Sequence, residues 1–495
     1  MFQKILIANR GEIAMRVIRS CREMGIAAVT VYSDADKKAA HRLCADASVH
    51  IGASEPSRSY LNIERIIAAA QAIGAEAIHP GYGFLSENAD FAAACEAAGI
   101  TFIGPPSNVI RALGDKTVAR QMMVNSGVPV TPGMHRAETD PLRLAEAAEQ
   151  LGYPVLIKAA GGGGGKGMRI VTSGDQLPEA CRSAAREAAA AFGNADIYIE
   201  KYIARPRHVE IQILADAHGN VIHLLERECS IQRRHQKIIE ESPSTALSPE
   251  LRAKMGQAAV AAARAAGYVN AGTVEFLLDE NGDFYFLEVN TRLQVEHPVT
   301  EMITGIDIVR HQIEIAAGRK LSLSQSDIAG RGHAIECRIY AEDPENDFFP
   351  SPGKIVFLQE PTGPGIRNDG GIYSGVTVPV EYDPILSKLI VYAENRALAV
   401  KRMRDALSRY VILGIKTPIL FLMDVMDAEA FKQGETHTDF IARHFANWKP
   451  KSANPHSACL AFAVHELTGK KRSEAFSTAK GEFPTPWETL GNWRG

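Results

Sequence analysis

The stretch "KAAGGGGGKGMRI", residues 158–170, constrains this chain more than any other. Glycine costs roughly 0.5–1 kcal/mol per position against alanine inside a regular element, so five in a row mean that a bare backbone is needed. A P-loop, G-x-x-x-x-G-K-[ST], does not fit. Ala160 stands where its first glycine belongs, and Gly167 where Ser or Thr would meet magnesium. A G-x-G-x-x-G spacing exists at Gly162, Gly164 and Gly167, but the β-rich run "MRIVTS" follows where a dinucleotide fingerprint requires a helix. The reading is strand, glycine loop, strand: a hairpin lid whose free N–H groups cradle anionic oxygens. A surface loop without chemistry is the bland alternative, and the flanking lysines weigh against it.

Residues 1 to about 112 alternate strand and helix. "KILIA" and "AAVTVYS" are compact β runs, Ile13, Val17 and Cys21 recur at helical spacing between them, and "AEAIHP" and "ITFIGP" follow Ala-rich helices. This predicts a doubly wound parallel sheet. Its first turn, "ANRGEIA", has one glycine where NAD binding needs three. The lid hairpin, two helices and the strand "DIYIEKYI" follow, and antiparallel hairpins at "DAHGN" and "DENGD" are expected between 208 and about 300. Helices and strands continue to about 447, where the polar "KPKSANPHS" leads into a tail; Trp448, Trp487 and Trp493 all lie in this last part. The order describes an α+β body behind a small α/β domain.

A net charge of −4 supplies no global positive field for nucleic acid or a membrane surface. No apolar run approaches the ~18 residues of a transmembrane helix. "MFQKILIANRGE" has no signal-peptide anatomy, and the seven cysteines form no C-x-x-C. A cytoplasmic protein with reduced thiols and no zinc site is expected.

"TVEFLLDENGDFYFLEVN" carries a strong hairpin signal, Asn-Gly between β-rich runs. A two-residue turn at Asn281–Gly282 places Glu275 directly opposite Glu288. Cβ atoms so placed lie about 4.5–5.5 Å apart, and like charges there repel. Either one carboxyl stays protonated, or a hard divalent cation such as magnesium bridges the two; the second is the simpler resolution. Continued as a strand through "LEVNTRLQVEH", Glu288, Asn290, Arg292, Gln294 and Glu296 line one face. The run "RECSIQRRHQKIIEE", residues 227–241, lacks the aromatics that stack RNA bases and reads as a small-anion site. Arg234 reads as solvated and Cys229 as a small, partly buried thiol.

At this point the residues carry a family resemblance. "GGGGGKGMRI", "RECSIQRRHQKIIEESPS", "EFLLDENGDFYFLEVNTRLQVEHPVTE" and "HAIECRIYAEDP" together resemble biotin carboxylase, of the ATP-grasp fold, and the likeness runs from residue 1 to about 446. The implied architecture, α/β and α+β, is a Rossmann-like domain (1–112), an ATP-grasp domain (113–330, its glycine-rich lid about 131–203), an antiparallel-sheet C-terminal domain (331–446) and a docking tail (447–495). The implied reaction is ATP-dependent carboxylation of biotin with bicarbonate through carboxyphosphate. The resemblance assigns ATP to Lys116, Lys158, Gly164, Gly165, Glu200, Lys201, Tyr202, Ile203, His208, Gln232, His235, Glu275, Leu277 and Glu288. It assigns two magnesium or manganese ions to Glu275, Glu288 and Asn290. Bicarbonate and biotin fall to Lys237, Arg292, Gln294, Val295, Arg338 and Tyr82, with Glu296 as the base that deprotonates bicarbonate and Arg338 stabilising the biotin enolate. One departure is Pro418, where relatives carry asparagine.

The chain holds no Met-Lys-Met for biotin attachment, and its one Lys-Met pair, Lys254–Met255, lies in an Ala-rich helical run. Biotin is therefore expected on a separate biotin carboxyl carrier protein, with a carboxyltransferase subunit downstream and a homodimer or larger complex around them. The tail ending "TPWETLGNWRG" resembles the segment that follows the biotin carboxylase region in large subunits of acyl-CoA carboxylases. The acceptor is thus expected to be an acyl-CoA of acetyl or propionyl type. The alternatives are a two-subunit pyruvate carboxylase, an ATP-grasp carboxylate–amine ligase and a non-catalytic nucleotide-binding regulatory protein.

Overall fold

The strand β1 (Lys4–Ile7) starts a five-stranded parallel sheet of order β3-β2-β1-β4-β5, with β2 Ala27–Ser33, β3 Ala47–Gly52, β4 Ala77–His79 and β5 Thr101–Phe102. Ile5, Leu6 and Ile7 are all fully buried because parallel strands are covered on both faces. Ile5 and Ile7 pack with Ile13 and Val17 of the helix Gly11–Glu23, whereas Leu6 points the other way into a cluster with Val29 and Ile66. The expected doubly wound layer is what the chain forms.

The computed structural model describes residues 1–134, 136–160, 168–234, 236–450 and 464. Met1–Trp448 form one compact unit. The glycines at 161–165, among them the assigned Gly164 and Gly165, lie outside the described residues, as do His135, His235, Trp487 and Trp493. The strands on either side of the glycine run do pair. β6 (Val155–Ala159) and β7 (Arg169–Val171) are antiparallel, with Val155 opposite Val171, and β8 (Ile197–Lys201) flanks β6 on its other edge. The helices Pro141–Leu151 and Leu177–Phe192 cover this small sheet through Leu144, Ala148 and Ala184 against Val155, Ile157 and Ile199.

An eight-stranded antiparallel sheet forms the floor beneath. It takes in β9 (Arg207–Ala215), β10 (Val221–Arg233), β11 (Gln236–Ser242), β12 (Asn270–Leu278), β13 (Phe284–Asn290) and β14 (His333–Tyr340), followed by Ile385–Ala393 and Ile366–Gly370. Three of the strands after residue 330 thus extend the same sheet, while the shorter ones there pair off in two-stranded sheets of their own. Its polar residues recur at period two: in "RHVEIQILA", His208, Glu210 and Gln212 alternate with Val209, Ile211 and Ile213, and the latter enter a core with Phe276 and Met255. Met255 is fully buried in the helix Pro249–Ala265. Pro418 occupies the N-cap of the helix Ile419–Asp427.

The "DENGD" hairpin corrects two details of the sequence reading. The turn is one residue longer than Asn-Gly, because Asp279 N–H bonds the Asp283 carbonyl across Glu280, Asn281 and Gly282, with Gly282 at φ +87°. Near the turn Phe276 pairs with Phe286, but the register shifts by one residue at Leu287, so Glu275 faces Glu288 after all. This is a β-bulge. The second strand also stops at Asn290; residues 291–296 are a turn leading into the helix His297–Thr304, not a continued strand.

Candidate functional site

One cavity of about 1150 Å³ is lined by every assigned residue that the structure describes, from Tyr82 and Lys116 to Arg338. Each element contributes by its alternation. β9 presents His208, β10 Gln232, β11 Lys237, β12 Glu275 and Leu277, β13 Glu288 and Asn290, and β14 Arg338, with Glu210 of β9 buried beneath Lys237. The turn 291–296 supplies Arg292, Gln294, Val295 and Glu296. β8 and the residues after it bring Glu200, Lys201, Tyr202 and Ile203 from the lid side.

The centre is Lys237. Its Nζ donates to Glu210 (2.5 Å), Glu275 (2.7 Å) and Glu296 (2.7 Å). Burial alone would lower the ammonium's pKa, but these three carboxylates hold it well above the usual lysine range. Glu296 is clasped from the other side by Arg338, whose Nη2 donates to Oε2 at 2.9 Å. Burial works to raise the Glu296 carboxyl; Lys237 and Arg338 override it and keep it ionised, well below the usual carboxylate range.

The second cluster is the carboxylate pair. Glu275 Oε1 accepts from Lys237, from Asn290 Nδ2 (2.8 Å) and from Gln294 Nε2 (2.7 Å), while His208 Nε2 lies 3.0 Å from Oε2. Glu288 has only Lys116, at 3.9 Å, as an ion partner among the described residues. Burial and the nearby Glu275 raise its pKa. Two acids, one left without a close counter-charge, beside an amide oxygen are the hard oxygen donors that magnesium takes, so these residues fit such an ion.

Arg292 is fixed by Glu87 (Nε to Oε2, 2.9 Å) and by Asn290 Oδ1 (3.1 Å). Lys158 and Arg120 both bond Glu200, at 2.6 and 2.8 Å. Lys201 turns to the Gly152 carbonyl (2.7 Å). Gln232 Nε2 donates to His208 Nδ1 at 2.8 Å. The Val295 carbonyl accepts from Lys388. Cys229 is completely buried, and its thiol is pushed well above the usual range by burial and by Glu210, so it is no nucleophile. Arg234 is exposed and pairs with Asp347.

Sequence reasoning missed the supports. Arg227 is fully buried and donates to Glu210, Gln212, Thr300, Thr273 and Gln294, which fixes the sheet floor under Lys237. Glu210, Glu87, Arg120 and Glu240 were also passed over. Polar residues at every second position of "HVEIQIL" were the available signal for Glu210.

A small antiparallel lid beside an antiparallel floor that carries lysines and a carboxylate pair defines an ATP-grasp protein. Residues 1–110 match the family description "Biotin carboxylase, N-terminal domain", 115–324 "Carbamoyl-phosphate synthase L chain, ATP binding domain" and 336–443 "Biotin carboxylase C-terminal domain". The chain is 56% identical over 441 residues to a pyruvate carboxylase subunit of Methanothermobacter thermautotrophicus, covering 89% of this chain and 90% of the relative. It is 54% identical to biotin carboxylase of Nostoc sp., covering 89% and 98%. It is 49% identical over 492 residues to the α subunit of methylcrotonoyl-CoA carboxylase of Dictyostelium discoideum, covering 99% of this chain and 70% of the relative. Among solved structures, a Campylobacter jejuni biotin carboxylase in complex with β,γ-ATP superposes with TM-score 0.87 at 49% identity, over 90% of this chain and 99% of that one. The biotin carboxylase domain dimer of Hydrogenobacter thermophilus 2-oxoglutarate carboxylase, with MgADP, ADP and bicarbonate, gives 0.88 at 49%, over 91% and 100%. The chain belongs to the biotin carboxylase family: it is an ATP-dependent ligase that carboxylates biotin.

Proposed function

We propose that this enzyme charges carrier-borne biotin with bicarbonate, through carboxyphosphate, as the first half-reaction of an acyl-CoA carboxylase. The observation that carries the reading is Glu296, held ionised between Lys237 and Arg338 in the same cavity as the Glu275–Glu288 pair. Glu296 accepts the bicarbonate proton, and Arg292 and Lys237 hold the anion, Arg292 through its planar fork. Lys116, Lys158 and the lid N–H groups take the phosphates, with Ile203 and Leu277 against the base and Gln232 and His208 on the ribose. Glu275, Glu288 and Asn290 hold the magnesium, which supplies charge neutralisation at the phosphates. Arg338 and Tyr82 receive the biotin ring, and Arg338 stabilises its enolate. The lid keeps water from the intermediate.

The full-length likeness to the methylcrotonoyl-CoA carboxylase protein includes the tail, whereas the Nostoc biotin carboxylase alignment spans 89% of this chain; this supports the acyl-CoA reading. The likeness to the Methanothermobacter pyruvate carboxylase protein supports the second reading, membership of a two-subunit pyruvate carboxylase. A carrier protein, a carboxyltransferase and a homodimeric core are proposed partners. No described helix is long and apolar enough to cross a membrane. The test is biotin-stimulated, bicarbonate-dependent ATP cleavage with label from bicarbonate recovered in carboxybiotin. The native complex is then offered acetyl-CoA, propionyl-CoA, other acyl-CoA thioesters and pyruvate. Fixation into pyruvate alone would favour the second reading, and no carboxybiotin would defeat both.

A further inference from the structure

Behind Arg338 lies a second acid pair that the reaction as described does not use. Glu240 of β11 and Glu336 of β14 stand directly opposite each other in the ladder, and both are fully buried. Glu240 Oε1 accepts from Arg338 Nε at 2.5 Å. The same guanidinium reaches Glu296 with Nη2, and its Nη1 lies 3.4 Å from the Tyr340 hydroxyl. All three nitrogens are thereby directed, with Glu240 and Glu296 held by the adjacent Nε and Nη2 donors of one edge. Glu336 is different: neither of its carboxylate oxygens has a hydrogen-bond partner among the described residues. The nearby cation, Lys388, is engaged by Glu12 (3.2 Å) and by the Val295 carbonyl (3.0 Å). An ionised carboxylate with no partner is not sustained at that depth; it takes up a proton instead. Burial, reinforced by Glu240, drives the Glu336 carboxyl in that direction. Burial raises the Glu240 carboxyl as well, but there the Arg338 guanidinium opposes the rise; of the two opposed acids, Glu240 is the one whose charge has a bonded cation.

We propose that Glu240 is a positioning residue that aims Arg338 at biotin, and that Glu336 across the ladder carries a proton so that Glu240 can remain an anion. The inference rests on the reading that Arg338 acts on biotin, while Glu296, which it also touches, keeps Lys237 at 2.7 Å when the guanidinium shifts. It therefore separates two activities of the holoenzyme: bicarbonate-dependent ATP hydrolysis without biotin, and carboxybiotin formation.

Glu240→Gln is expected to leave biotin-free ATP hydrolysis within about two-fold of wild type while lowering carboxybiotin formation about 10- to 100-fold, as a misplaced catalytic group does. Glu240→Asp, which keeps the charge but shortens the reach, gives the same split and serves if the amide variant does not fold. Glu336→Gln, an isostere of the neutral acid, keeps both activities within about two-fold, and its infrared difference spectrum against wild type shows the loss of a protonated-carboxyl carbonyl band. A parallel fall of both activities on changing Glu240, or no fall in carboxybiotin, overturns the positioning role. Absence of the carbonyl band overturns the protonation. Arg338→Gln is the control: undiminished carboxybiotin formation there refutes the role of Arg338 itself, whatever Glu240 does.

Discussion

Lys237 and Glu296 form a buried ion pair, 2.7 Å from Nζ to Oε1, whose ammonium is shared with Glu210 and Glu275. The carboxylate is therefore ionised before any substrate arrives. Glu296→Gln removes the proton acceptor while keeping the shape. Bicarbonate-dependent ATP cleavage should fall by roughly 10²–10⁴ in kcat, the range for general acid–base groups. ATP affinity, measured by calorimetry, should stay within about three-fold, because Glu296 is not among the residues proposed to hold the nucleotide.

Glu288 faces Glu275 across the hairpin, and its carboxyl is raised by burial and by that neighbour. A bound divalent ion favours its ionised form, so ion binding and proton release are linked. Half-saturating magnesium should rise as pH is lowered toward the raised Glu288 carboxyl. In Glu288→Gln it should rise at least about 10-fold at every pH and lose much of that dependence. Steady-state rates over a magnesium titration at fixed ATP measure both.

Glu241 is buried against His333 (2.8 Å) and Arg396 (2.6 Å). Burial works to raise its pKa, but these partners bring it down to about 2. A depressed acid stabilises the fold above its unfolded value near 4.5, and that contribution is lost as pH falls through about 2. From the shift it is worth about 3 kcal/mol. Arg396→Gln should be destabilised by about 3 kcal/mol at pH 7. Its deficit against wild type should shrink between about pH 4.5 and 2, as read from urea unfolding at a series of pH values.

The tail is proposed to dock this protein into its complex through Trp487 and Trp493. Deleting residues 480–495 should leave carboxylation of free biotin intact and weaken assembly with carrier and carboxyltransferase. Unchanged assembly on gel filtration would refute the docking role.

What the sequence disclosed depended on range. The parallel layer was legible because each strand and helix announces itself locally, as "KILIA" and Ile13–Val17–Cys21 do. The opposition of Glu275 and Glu288 was also legible, though through a turn assigned one residue too short and a bulge that was not foreseen. The polar row at 292–296 was read as strand because it alternates; the backbone leaves the sheet at Asn290, and Gln294 still reaches Glu275 from the turn. Arg227 and Glu240 stayed hidden because their meaning lies in neighbours far along the chain: Thr300 for one, Arg338 for the other. Such pairings appear only when the strands are laid side by side.

The bulge at Leu287 acts as a phase corrector. The loop below it has one residue more than the shortest hairpin, and the extra residue in the ladder cancels the resulting half-period slip before the acids are reached. Deleting Leu287 alone would remove the bulge and leave Glu288 next to Phe286, still opposite Glu275. Losing the bulge with Leu287 retained would instead set Leu287 opposite Glu275 and turn Glu288 to the Phe276 side.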